Sequence, residues 1–128
     1  MSDTLFDALA ALLVDHGAFV TALRDADSGR AAIAGALDAV ATQSNADAHE
    51  GSSVAVGRLE TLLTDRLEAA RASGELPTAV SVDDLAAFYA SIVLGLLAET
   101  VSGGAPATLD AIRRLAMTLW PARERARL

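Results

Sequence analysis

The 128-residue chain has no cysteine and no lysine, and only three Phe, one Tyr and one Trp. Without cysteine there is no disulfide framework, no thiolate nucleophile and no thiolate metal site. Without lysine, all ten basic residues are arginine; with the abundant alanine, this reflects the codon usage of a GC-rich genome and not a function. Long apolar runs are missing too. The longest uncharged stretch, residues 85–98, falls short of the roughly 20 apolar residues that span a bilayer. The opening Met1-Ser2-Asp3-Thr4 has neither a basic nor an apolar signal region, so no signal peptide is expected. A cytoplasmic protein without membrane contact is the expectation.

What remains is apolar and rich in helix formers. Hydrophobic residues make up 52% of the chain, which argues against disorder. Alanine supplies much of that share; it favours helix and disfavours strand. The length suits one domain, residues 1–128, able to bury its own core. The net charge is −7, but residues 1–112 hold sixteen acids against five arginines, while residues 113–128 hold five arginines against Glu124 alone. An acidic body repels phosphates, so no direct DNA binding by this chain is expected.

Five helices and no strand are predicted. Leu5, Leu9, Leu12, His16, Phe19 and Leu23 recur at steps of three and four, which makes one helix over 3–23. Asp25 to Gly29 breaks it and supplies a cap for a second helix over 29–41, whose stripe of Ile33, Leu37 and Val40 is thin. Polar residues 42–53 read as loop. A third helix over 53–73 buries Val56, Leu59, Leu62, Leu63, Leu67 and Ala70, and Gly74 and Pro77 stop it. Ser81 and Asp84 cap a fourth helix reaching to about Ser102, where Gly103-Gly104 ends it. Pro106 opens a fifth, with Leu109, Ile112, Leu115, Ala116 and Leu119 inward.

The fourth helix is apolar nearly all round. Leu85, Phe88, Tyr89, Ile92, Val93 and Leu96 cover one face, Leu94, Leu97 and Val101 widen it, and Ala87, Ser91, Gly95 and Ala98 leave a stripe of small residues. Such a helix must be buried on every side. Either it is the central helix of its own domain, or a second chain covers it. The candidate contact set is Ala87, Ser91, Leu94, Gly95, Ala98, Leu115 and Leu119.

Residues 59–120 resemble the C-terminal domain of TetR-family transcriptional regulators. The resemblance lies in Arg66-Leu67-Glu68-Ala69-Ala70-Arg71, in the junction Ala72-Ser73-Gly74-Glu75-Leu76-Pro77, in Val82-Asp83-Asp84-Leu85-Ala86-Ala87-Phe88-Tyr89, in Gly95-Leu96-Leu97 and in Ser102-Gly103-Gly104-Ala105-Pro106. The start, Asp3-Thr4-Leu5-Phe6, looks like the helix that follows the DNA-binding domain in that family. The resemblance implies an all-α, five-helix bundle that binds a small effector and forms a homodimer. Its last two helices would make an antiparallel hairpin, and two hairpins a four-helix bundle interface. Two departures stand out: the family's N-terminal helix-turn-helix domain is absent, and residues 42–53 are shorter than the usual insert. The expected role is therefore an effector-binding and dimerisation module linked to transcription regulation, able to form a mixed dimer with a full-length relative. The alternative is a structural interaction domain that dimerises with a filled core and binds no small ligand.

An apolar effector would lie against Leu9, Leu13, His16, Phe19, Leu59, Leu63 and Tyr89. The plainer reading of His16 is a packed core histidine, and of Tyr89 and Trp120 core aromatics. Asp47, His49 and Glu50 have ligand chemistry but too few partners for a metal site. Adjacent helical residues Asp15 and His16 do not face each other. No nucleophile elbow or phosphate loop occurs, so neither enzyme activity nor a cofactor is expected. Arg113, Arg114, Arg123, Arg125 and Arg127 are read as cations suited to a helix C-terminus, or as a patch for an anion, RNA or acidic partner.

Overall fold

Caps and stops place the helices. In the computed structural model the described residues are 9, 11–13, 17–41 and 53–121, with only the backbone of 53–55. Among them, besides the helical residues 9, 11 and 12, are five bounded helices and no strand: α1 (Ala18–Asp25), α2 (Gly29–Ala41), α3 (Ser53–Ala72), α4 (Val82–Val101) and α5 (Pro106–Thr118). The described residues are all-helical, as the alanine-rich composition favours. Ser28 Oγ accepts from the Ala31 amide at 3.0 Å and Ser81 Oγ from the Asp84 amide at 3.1 Å, each satisfying an otherwise orphaned amide of a first turn. Helices α3 and α4 end alike. Gly74 and Gly103 take φ of 84° and 80°, a conformation glycine adopts without steric cost. The amides that follow reach back, Glu75 to the Ala70 carbonyl at 2.9 Å and Gly104 to the Glu99 carbonyl at 2.7 Å. Both ends are Schellman stops.

The predicted helix over 3–23 is corrected. Leu9, Ala11 and Leu12 are helical, Leu13 turns, and Gly17 is extended at φ −79° and ψ 164° as the N-cap of α1. Glycine costs about 1 kcal/mol inside a helix, so the break falls at a cheap position. It also lets Leu9, Leu12 and Leu13 before it, and Phe19, Val20 and Leu23 after it, all reach the core. Arg58 Nη1 donates to the Leu13 carbonyl at 2.9 Å and Arg66 Nη2 to that of Ala26 at 3.3 Å, so α3 satisfies carbonyls on both sides of α1.

The centre of the bundle is α2, which packs against all four other helices. Its stripe reads as thin because its apolar residues are small, yet Gly29, Ala32, Ile33, Ala36, Leu37, Ala39 and Val40 are all buried. Short side chains let neighbouring backbones come close. At Gly29 a Cβ would stand 2.7 Å from the Ala70 Cβ, closer than packed carbons tolerate. The start of α2 is locked there by the turn after α3: Glu75 accepts from the Gly29 amide at 2.7 Å and the Arg30 amide at 3.0 Å, a carboxylate on the positive end of a helix.

Candidate functional site

Of the seven residues expected to line an effector site, Leu9, Leu13, Phe19, Leu59, Leu63 and Tyr89 are 0–2% exposed and belong to one hydrophobic cluster. His16 lies outside the described residues. The three clefts described run elsewhere. The largest, about 640 Å³, lies between α2 and α5; two of about 200 and 240 Å³ flank α3.

Tyr89 holds α4 to α5. Where α5 ends, the Trp120 amide donates to Met117, three residues back, at 3.1 Å. The Ala116 carbonyl is thereby released from the helical ladder, and Tyr89 Oη donates to it at 2.9 Å within the core. The phenol ring meets Phe88 edge-on at 4.9 Å and Trp120 at 6.2 Å.

Burial pushes the Tyr89 phenol up to about 12, with Arg30 pulling weakly the other way. The neutral phenol is therefore favoured in the fold, and stability present below pH 10 is lost as pH rises through 10 to 12. With no lysine, no cysteine and a single tyrosine in the chain, no other side-chain type ordinarily titrates in that window. Denaturant midpoints at pH 9 and pH 11.5 should fall for the wild type and hold level for Tyr89→Phe. Equal slopes would contradict the burial of this phenol.

The residues named for self-association lie together in character. On α4, Val82, Ala86, Tyr89, Ala90, Val93, Leu96 and Leu97 are buried. At 100° per residue, Ala87, Ser91, Gly95 and Ala98 project from the opposite side, and all four are exposed. Leu94 is half-buried beside them, as are Phe88 and Ile92. A Cβ added at Gly95 would meet nothing within 4 Å. On α5, Leu115 and Leu119 are 65% and 62% exposed, the two large hydrophobic residues so placed among those described. They were expected on the inner face of the fifth helix; Leu109 and Ala116 hold that face instead. Among the described residues α4 packs against α2, α3 and α5, and its buried residues lie opposite the exposed stripe.

By length and composition α4 could also cross a membrane. The sequence expectation rested on the uncharged stretch 85–98, which is shorter than the 20-residue helix. A core helix passes the same test, and seven of its residues are buried.

The arginines at the end of the described chain are also revised. Arg113 and Arg114 stand inside α5 and not in its last turn. Arg113 pairs with Asp38 and Asp110, both at 2.9 Å, and Arg114 with Asp110 at 3.1 Å, so ion pairs and not the helix dipole account for them. Arg123, Arg125 and Arg127 lie outside the described residues, as do Asp47, His49 and Glu50. Among the described residues no group of three or more His, Cys, Asp or Glu could hold a metal ion. No family model, no curated protein and no solved structure matches the chain.

Proposed function

We propose that the chain is a self-associating helical module that forms a homodimer through the uncovered faces of α4 and α5. The observation that carries this reading is the exposed Ala87, Ser91, Gly95 and Ala98 stripe opposite the buried side of an apolar helix. Water gains nothing from such a surface, whereas a second helix can approach it closely. Leu119, exposed, would flank the contact, while Leu115 lines the cleft between α2 and α5. In this reading α4 and α5 act as an antiparallel hairpin, and a two-fold axis joins two hairpins into a four-helix bundle.

The TetR resemblance extends the proposal to a cytoplasmic effector-binding and dimerisation module linked to transcription regulation. It includes pairing with a relative of the same family as a mixed dimer. Burial of Leu9, Leu13, Phe19, Leu59, Leu63 and Tyr89 favours the second reading, a dimerising interaction domain whose core is filled at those residues.

The absence of native cysteine makes a direct test possible. Of Ala87→Cys, Ser91→Cys, Gly95→Cys and Ala98→Cys, oxidised separately, at least one should give a covalent dimer much faster than Thr61→Cys, an exposed position on α3. Disulfides require Cα atoms within about 7 Å, and a two-fold axis pairs a residue with its own copy only near the axis. Rates as slow as that of Thr61→Cys at all four stripe positions would therefore refute this interface.

A further inference from the structure

We propose that the groove between α2 and α5 binds a single-chain amphipathic carboxylate, with the Arg30 guanidinium as its anchor. The groove is about 640 Å³ and is lined by Ala34, Leu37, Ala111, Leu115 and Met117 together with Arg30, Arg113 and Arg114. That size lies within the range of small-molecule sites, which combine an apolar lining with few polar groups. Alanines at 34 and 111 keep the space open on both helices.

The charges select the head group. Arg113 and Arg114 are already held by Asp38 and Asp110. The carboxylates fix the Arg113 guanidinium through both of its terminal nitrogens. Among the described residues Arg30 has no carboxylate partner for its side chain; its backbone amide, bonded to Glu75, fixes where that side chain starts. Among the described residues the ion pairs therefore leave Arg30 as the lining cation without a carboxylate. One unmatched guanidinium suits a monoanion, and its planar fork matches a carboxylate in bidentate fashion. A phosphate dianion would need a second unpaired cation. A neutral lipid would leave Arg30 unused, and a cationic amphiphile would be repelled. The apolar chain would lie over Leu37, Leu115 and Met117.

The test is calorimetric titration of the full chain with dodecanoate below its micellar range, beside dodecan-1-ol and octanoate. Dodecanoate should bind at one site per chain. The alcohol should bind about tenfold more weakly through loss of the charged hydrogen bonds. Octanoate should also bind on the order of tenfold more weakly, because it lacks four partly buried methylenes. Arg30→Gln, at an exposed side chain, should weaken dodecanoate about tenfold, and Ala34→Phe should block it by filling the groove. No binding, equal binding of acid and alcohol, or unchanged affinity in Arg30→Gln would each overturn the proposal. The affinities decide it whatever the oligomeric state.

Discussion

Replacing Tyr89 with alanine is expected to lower the unfolding free energy by about 3–5 kcal/mol, the usual cost of deleting a buried aromatic ring. Two losses combine. The ring is fully buried among Phe88, Trp120 and the aliphatic core, so its removal leaves a cavity. Its hydroxyl also satisfies the Ala116 carbonyl at 2.9 Å, an acceptor that the end of α5 has freed. Stranding that acceptor accounts for about 1–3 kcal/mol of the total, which Tyr89→Phe isolates. A domain of this kind holds only about 5–15 kcal/mol in all. The alanine variant should therefore melt about 10–20 °C lower. A shift of a few degrees would mean that Tyr89 is not the clamp between α4 and α5.

Gly95→Arg should have the opposite profile. The position is helical and exposed, and a side chain there meets nothing of its own chain within 4 Å. Exchanging glycine for arginine removes nearly 1 kcal/mol of unfavourable helix propensity, so the isolated fold should gain stability. In a dimer packed along Ala87, Ser91, Gly95 and Ala98, the same change drives an unpaired cation into a dry contact. That costs about 3–5 kcal/mol, or a hundredfold or more in the dissociation constant. Melting temperatures provide a second readout. The wild-type midpoint should climb with protein concentration, because association stabilises the folded state, and Gly95→Arg should abolish that dependence. Gly95→Ala should retain it, since a methyl group keeps the stripe small.

How much of this was legible in the sequence depends on whether the signal was local. The ends of α2, α3, α4 and α5 were legible, because Ser28, Gly74, Ser81, Gly103 and Pro106 act on the backbone within a turn of themselves. The break before α1 was not. The period of Leu9, Leu12, Phe19 and Leu23 runs unbroken across Gly17, and periodicity cannot tell one helix from two whose faces share a core. The central place of α2 was hidden for a related reason: alanine and glycine add little to an apolar stripe, though they are what lets four helices surround it. Leu115 and Leu119 illustrate the limit on α5. Their spacing marks a face, but only packing decides whether the domain's own core takes it. The groove was out of reach altogether, since it joins Arg30 and Ala34 to residues some eighty positions later. The exposed stripe on α4 was legible as a pattern, and the structure adds that α2, not α4, fills the centre.

The central claim is that the open sides of α4 and α5 are closed by a second copy. Sedimentation equilibrium of the wild-type chain over a hundredfold range of concentration tests it most directly. The account requires a mass of twice 13.1 kDa across the upper part of that range, falling to the single-chain mass for Gly95→Arg at the same concentrations. A wild-type mass of 13.1 kDa throughout would contradict it.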